Sequence, residues 1–109
     1  MGVVRTVSLF LLAALAEIGG VYLIWQWLRE GKSAFLGLLG LAALFVYGVT
    51  QTLQTLNFAR AFAAYGGVFI AMAMLWGWRV DGHTPDHWDW IGVGVCLVGV
   101  TIILWAPRG

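Results

Sequence analysis

Apolar residues run along the chain in four segments of about 20 residues each, separated by short polar stretches. A helix needs about 20 apolar residues to cross the hydrocarbon core of a bilayer. The pattern therefore predicts an all-α membrane protein with four transmembrane helices, over about residues 6–28, 34–54, 58–78 and 86–105. These spans use most of the chain, so we expect a single four-helix transmembrane domain over residues 1–109.

Two of the predicted helices carry start signals. Asn57 precedes the third helix, and an asparagine at the N-cap accepts a hydrogen bond from a free backbone N–H of the first turn. Thr84 as N-cap and Pro85 at the first helical position predict the start of the fourth helix, because proline at this position loses no helical hydrogen bond.

The second predicted helix becomes polar without charge near its end. The polar residues there are Thr50, Gln51, Thr52, Gln54 and Thr55. Such groups either hydrogen-bond across helices or meet lipid headgroups and loops. We expect the second arrangement, with these side chains at the headgroups or in the loop.

The composition agrees with a membrane protein and excludes other classes. The sequence is 61% hydrophobic and 10% charged, whereas a soluble domain carries about 25% charged residues. A net charge of +1 without a basic cluster excludes a nucleic-acid-binding surface. The histidines and aspartates of residues 79–87 match no metal-site spacing, and no nucleophile–base pair indicates an enzyme. We predict neither a metal nor a cofactor.

Glu17 lies near the middle of the first apolar segment. A charge at the bilayer centre costs about 2.5–3.5 kcal/mol on insertion scales, so such residues are usually functional. Its neighbours at helical spacing are Phe10, Ala13, Ala14, Gly20, Val21 and Ile24. Small residues let another helix approach closely, so we expect Glu17 to face protein. The alternative is a protonated carboxyl that hydrogen-bonds a neighbouring helix.

The third predicted helix carries a cationic residue and a stripe of aromatic residues. Arg60 falls in the first turn, where the helix dipole disfavours a positive charge, so we expect another reason for its position. Most of the aromatic stripe is typical of ordinary packing. For Phe62 and Tyr65 we favour the wall of a pocket that binds organic cations through cation–π contacts. The adjacent Gly66 and Gly67 predict a bend or hinge.

The fourth helix and the basic residues both predict a dimer. Gly92 and Gly99 share one helix face, a pattern that favours close helix contact, here between two copies. Each side of the predicted topology holds three basic residues: Arg5, Arg60 and Arg108 on one, Arg29, Lys32 and Arg79 on the other. Because Lys/Arg bias sets orientation, a chain without bias inserts both ways. Two such copies can form an antiparallel, dual-topology homodimer.

Four groups of residues carry a resemblance to a known family. They are Ala16-Glu17-Ile18-Gly19, the run Arg60-Ala-Phe-Ala-Ala-Tyr-Gly-Gly-Val68, Val80-Asp81-Gly82, and Asp89-Trp90 with Gly92 and Gly99. Over essentially the whole chain, the sequence resembles the YnfA-like branch of the small multidrug resistance superfamily. The resemblance implies a four-helix subunit that works as an antiparallel homodimer in the bacterial inner membrane and exports lipophilic cations in exchange for protons.

The resemblance also implies roles for single residues. Glu17 would be the carboxylate shared by proton and substrate, and Gly92 with Gly99 would form the dimer contact. Tyr65 stands where the multidrug branch has a helix 3 tryptophan, and Phe62 where it has a tyrosine. We place both in the substrate pocket.

Three further residues are placed in the pocket by their predicted position near Glu17. The sequence also departs from the family pattern at two points. Ala13, Gly20 and Arg60 complete the predicted pocket around the carboxylate. Arg60 has no counterpart in the multidrug branch. That branch also has a substrate-facing tyrosine in helix 2, whose register here is near Ala42, while Tyr47 lies elsewhere.

These features predict a proton-coupled exporter of lipophilic or small organic cations. Protons and the cation would compete for the two Glu17 carboxyls of a dimer, which titrate as a coupled pair. The predicted partners are a second copy, the bilayer, the cation and protons. The alternative is a non-transporting small membrane protein, such as an assembly or regulatory subunit, in which Glu17 is a structural polar contact.

Overall fold

The structure, a computed structural model, describes residues 2–108. These residues form four α-helices: α1 (Gly2–Leu28), α2 (Ala34–Gln51), α3 (Phe58–Arg79) and α4 (His87–Trp105). All four are long and apolar enough to cross a membrane. The prediction of an all-α protein with four candidate transmembrane helices is therefore confirmed.

Large apolar side chains are exposed along the helices. Phe45 of α2 is 73% exposed, Phe58 of α3 is 82% exposed and Val95 of α4 is 67% exposed. Soluble monomers rarely expose contiguous apolar surface of this kind, because its hydration is unfavourable. These surfaces suit contact with lipid.

Two helix ends differ from the prediction. The first helix begins at Gly2 instead of near residue 6, and the second ends at Gln51 instead of near residue 54. At the end of α2 the Thr52 hydroxyl donates a hydrogen bond to the carbonyl of Val49, 2.6 Å away. Threonine side chains that bond the backbone compete with the helical hydrogen bonds, which favours an end at this position.

The helix caps confirm one prediction and correct another. Asn57 caps α3, since its Oδ1 accepts a hydrogen bond from the backbone N–H of Arg60 at 2.9 Å. The prediction that Thr84 caps the fourth helix is wrong. Asp86 is the N-cap of α4, and Asp86 and Asp89 each accept a hydrogen bond from the other's backbone N–H. This reciprocal pair satisfies two free donors, which a threonine ahead of Pro85 does not.

The chain divides into two compact units, Met1–Leu53 and Gln54–Gly109. In the first unit α1 packs against α2, and in the second α3 packs against α4. Each unit is thus a pair of helices joined by a short connection. The expectation that all four helices form one domain stays a prediction.

The α1–α2 pair is closest where two glycines meet. A Cβ placed on Gly40 would stand 2.6 Å from the carbonyl oxygen of Gly20, and one on Gly20 would stand 2.8 Å from that of Gly40. One helix turn away, the ring of Trp27 covers Gly37. At the other end of the pair, Arg5 Nη2 donates a hydrogen bond to the carbonyl of Leu53 at 3.0 Å. Backbone contact this close requires glycine on both helices.

The α3–α4 pair has one comparable contact. Gly67 of α3 lies against the side chain of Val100, and a Cβ at this glycine would stand 3.1 Å from the carbonyl oxygen of Cys96. Gly67 therefore serves close packing onto α4. The α-helix continues without interruption through Gly66 and Gly67, and their predicted hinge role stays a prediction.

Candidate functional site

Glu17 lies at the centre of the buried face of α1. The buried residues of this helix are Thr6, Phe10, Ala13, Ala14 and Gly20. All of them share one side of a helix with 3.6 residues per turn, and that side is centred on Glu17. The sequence predicted Phe10, Ala13, Ala14 and Gly20 on this face. Of the other two neighbours at helical spacing, Ile24 is half-buried and Val21 is 46% exposed.

The neighbour of Glu17 across the helix pair is Tyr47 of α2. An electrostatic interaction links the two side chains. Glu17 itself is half-buried. The carboxyl therefore faces the second helix of its own unit, as the small residues around it predicted.

Tyr47 is joined in turn to Gln51, one turn further along α2. The two side chains share a hydrogen bond. The Oε1 atom of Gln51 is shielded from solvent and has no hydrogen-bond partner among the described residues. Glu17, Tyr47 and Gln51 thus form a polar group in an otherwise apolar helix pair, which we call the Glu17 cluster.

The register of the antiparallel pair explains the Glu17 cluster. Gly20 lies against Gly40 and Leu44. One turn back from Gly20 along α1 and one turn forward from Leu44 along α2, Glu17 and Tyr47 lie at the same level of the pair. In the half of the α1–α2 interface near the connection at residues 29–33, glycine and tryptophan residues pack closely. The half near residues 52–57 contains the polar groups.

The polar end of α2 corrects part of the prediction. Thr50 is only 5% exposed, and its hydroxyl donates a hydrogen bond to the carbonyl of Val46 at 2.8 Å. Gln51 belongs to the Glu17 cluster. Placing Thr50 at headgroups or in a loop was therefore wrong, because its side chain is buried within α2. For Gln51, which is half-buried at the last residue of α2, the headgroup placement stays a prediction. Thr52 and Thr55 do lie in the exposed connection.

Tyr47 is the residue that sequence reasoning missed. The expected helix 2 contact lay near Ala42, which is exposed. The available signal was spacing, because Tyr47 and Gln51 follow Gly40 at seven and eleven positions and so share its helix face. A face that combines a close-contact glycine with two polar residues indicates a polar helix contact.

In the second unit, the predicted pocket residues occupy different surroundings. Tyr65 is 3% exposed and lies beside Phe69, with 5.8 Å between ring centroids. Phe62 is 52% exposed and stacks on Phe58, also with 5.8 Å between centroids. Arg60 is half-buried in the first turn of α3. Within this unit, Phe62 and Tyr65 therefore do not form a common wall.

Gly92 and Gly99 lie on an open face of α4. Apart from the helix's own backbone, no atom of the described chain lies within 4 Å of a Cβ placed on either glycine. The buried residues of α4 are instead Val93 and Val100. The glycine face is therefore free of contacts within residues 2–108.

Aromatic and basic residues pair at two helix ends. The Arg29 guanidinium lies 4.6 Å from the ring centroid of Trp25, and that of Arg79 lies 4.8 Å from Trp78. Tryptophan with a basic residue is typical of the membrane–water interface. Across residues 2–108, no group of three or more His, Cys, Asp or Glu residues is arranged to hold a metal ion.

Comparison with known proteins identifies the family. The model of the family described as "Uncharacterised BCR, YnfA/UPF0060 family" matches residues 3–109. The chain is 62% identical to UPF0060 membrane protein BH2744 of Halalkalibacterium halodurans, over 96% of this chain and 98% of the relative. It is 59% identical to UPF0060 membrane protein YfjF of Bacillus subtilis, over 95% and 96%. No solved structure matches. The chain therefore belongs to the YnfA/UPF0060 family of membrane proteins.

Proposed function

We propose that this protein is a proton-coupled exporter of lipophilic or small organic cations, an antiporter of the small multidrug resistance type. The observation that carries the proposal is the position of Glu17, in the middle of a 27-residue apolar helix and at the centre of its buried face. Ionisable residues inside a membrane are expensive and mark transport or proton pathways.

The exchange follows from competition for one carboxylate. An ionised Glu17 attracts a cation, and a protonated Glu17 has no charge with which to hold it. If cation and proton cannot bind together, each one that enters releases the other. Ala13 and Gly20 are small residues on the same face of α1 as the carboxylate. Access from alternate sides of the membrane then couples export to proton entry.

The working unit is an antiparallel homodimer in the bacterial inner membrane. Equal numbers of basic residues on the two sides of the topology support insertion in both orientations. The open face at Gly92 and Gly99 supports a helix contact with a second copy, since small residues allow close packing in lipid. The dimer would bring two Glu17 carboxyls to one site.

The test replaces the carboxylate without changing its shape. We expect Glu17→Gln to fold and dimerise but to give no cation-evoked, pH-dependent current in proteoliposomes, because the amide does not ionise. Glu30→Gln is the matched control, since Glu30 is exposed in the connection after α1. Wild-type currents should persist in that control. Unchanged proton-driven export by Glu17→Gln would refute the mechanism.

One observation favours the second candidate, a non-transporting assembly or regulatory subunit. Glu17 lies on the face of α1 that packs against α2 within its own helix pair, as a structural polar contact would. In that case Glu17→Gln should lower the thermal stability of the purified protein, and wild type should carry no current with any cation. If Glu17→Gln is as stable as wild type and wild type carries a cation-evoked current, the result supports the exporter.

A further inference from the structure

Arginines near the helix ends have two kinds of partner. Arg5 Nη2 donates a hydrogen bond to the carbonyl of Leu53 at 3.0 Å, and Arg108 Nη2 donates one to a carbonyl in the last turn of α4 at 2.7 Å. Arg29 instead lies over the ring of Trp25, with 4.6 Å between its Cζ atom and the ring centroid. A guanidinium that stacks on a ring uses its face, so the N–H donors in its plane can serve another partner.

A second basic residue, Lys32, lies in the same connection between α1 and α2. Its backbone N–H donates a hydrogen bond to the carbonyl of Gln26 at 3.1 Å, which folds the connection back onto the last turn of α1. Gly31 has a φ of +71°, a left-handed conformation that glycine adopts without strain. The backbone that carries Arg29 and Lys32 therefore has a defined shape.

This basic connection lies at a membrane–water boundary of the proposed spans. Arg29 follows directly after Leu28, the last residue of α1, and both basic side chains are exposed. Trp25, which is 47% exposed, is of the residue type that is enriched at the level of lipid headgroups. Basic residues just outside a membrane span attract anionic lipids.

We propose that the α1–α2 connection binds the headgroup of an anionic phospholipid. Arg29 donates N–H groups to the phosphate, since a guanidinium can offer two parallel hydrogen bonds to two phosphate oxygens. Lys32 adds a second positive charge, and Trp25 holds the guanidinium through its ring. Glu30, in the same connection, opposes the binding of an anion. This site does not depend on the proposed transport function.

A zwitterionic headgroup fits the connection less well. Phosphatidylcholine also carries a phosphate, but its own ammonium group balances that charge. The attraction to Arg29 and Lys32 then largely cancels, whereas phosphatidylglycerol keeps a full negative charge. Salt should weaken the binding of phosphatidylglycerol, because exposed charges are screened.

The experiment measures the binding of single lipid molecules to the full chain in detergent by native mass spectrometry. Phosphatidylglycerol and phosphatidylcholine with the same acyl chains are titrated into wild type and into Arg29→Gln. Arg108→Gln is the matched control, because it loses the same charge from an arginine whose guanidinium bonds a backbone carbonyl. Glu30→Gln tests the opposite change in charge.

We expect wild type to bind phosphatidylglycerol more tightly than phosphatidylcholine. Arg29→Gln should weaken the affinity for phosphatidylglycerol about fivefold, equivalent to about 1 kcal/mol, and should change that for phosphatidylcholine less than about twofold. Arg108→Gln should match wild type for both lipids. Glu30→Gln should bind phosphatidylglycerol more tightly than wild type does.

Three results would overturn the proposal. Equal affinity of wild type for the two lipids would exclude recognition of the anionic headgroup. Equal losses in Arg29→Gln and Arg108→Gln would show that net charge alone sets the affinity. Displacement of the lipid by inorganic phosphate at constant ionic strength would assign the connection to a free anion.

Lys32→Gln is the second variant, and it keeps the proposal testable if Arg29→Gln does not fold. Lys32 is exposed, and its backbone hydrogen bond to Gln26 does not involve the side chain. A loss of phosphatidylglycerol affinity in this variant would support the site. Wild-type affinity in Lys32→Gln would overturn it.

Discussion

Polar side chains of α1 and α2 lie near one another in the first helix pair. Glu17 interacts with Tyr47, and Tyr47 hydrogen-bonds Gln51. Thr50 does not belong to this group, because its hydroxyl donates a hydrogen bond to the carbonyl of Val46 on its own helix. At the scale of residues, the Glu17 cluster is therefore the part of this helix pair where polar side chains of both helices come together.

Arg60 and Arg79 occupy opposite ends of α3, and we predict that only the removal of Arg79 destabilises the protein. Arg79 lies in the last turn, where the helix dipole favours a cation, and it stacks on Trp78. Arg79→Ala should lower the free energy of unfolding by about 0.5–1 kcal/mol. Arg60→Ala should leave the free energy of unfolding unchanged, because the dipole disfavours a cation in the first turn. Thermal denaturation of the two variants in detergent measures the difference.

Transport by Arg60→Ala is the complementary measurement. Binding of a cation requires no fixed positive charge, so we expect cation-evoked currents to persist in this variant. Loss of the current would assign Arg60 a part in transport and would favour an anionic substrate.

The sequence predicted Glu17 and its buried neighbours but not its partner. A lone carboxylate in an apolar helix is visible without a structure, and so are the small residues at helical spacing around it. Tyr47 was missed because the contact depends on the register between α1 and α2. That register is set by the Gly20–Gly40 contact. The apolar periodicity along a single helix does not show how that helix pairs with another.

At the scale of elements, the glycines of α2 differ in what surrounds them. Gly40 meets the backbone of α1, whereas no atom outside the helix backbone lies within 4 Å of a Cβ on Gly48. The two positions therefore make a matched pair on one helix. The same substitution should have opposite effects at them.

We predict that Gly40→Ala destabilises the α1–α2 pair and that Gly48→Ala does not. The new Cβ at Gly40 would stand 2.6 Å from the carbonyl of Gly20, and overpacking of this kind costs about 1–3 kcal/mol. At Gly48, alanine should be neutral or stabilising by up to about 1 kcal/mol, because it favours the helix. Equal thermal stability of the two variants would contradict the close contact.

The helices themselves were predictable, and their ends only partly so. Length and hydropathy indicate four spans regardless of what surrounds them. The N-cap of α4 was misassigned because Pro85 is a strong local signal. The reciprocal hydrogen bonds of Asp86 and Asp89 satisfy more backbone donors and set the start instead.

At the scale of the whole molecule, the proposed dimer depends on a face that the chain leaves open. We predict that Gly99→Leu converts the dimer to monomer, because a large side chain prevents close helix contact. Gly48→Leu is the control, since that glycine is also open but lies on α2. Crosslinking in membranes and light scattering in detergent report the mass. A Gly99→Leu variant that stays dimeric would exclude this face as the interface.

The unequal lengths of α1 and α2 relate the protein to the thickness of its bilayer. Their 27 and 18 residues give lengths of about 40 Å and 27 Å. The first length is greater, and the second smaller, than the thickness of a hydrocarbon core of about 30 Å. This is hydrophobic mismatch of opposite sign within one helix pair: α1 must tilt or protrude, while lipid must thin beside α2. Longer acyl chains increase the mismatch at α2 and decrease it at α1.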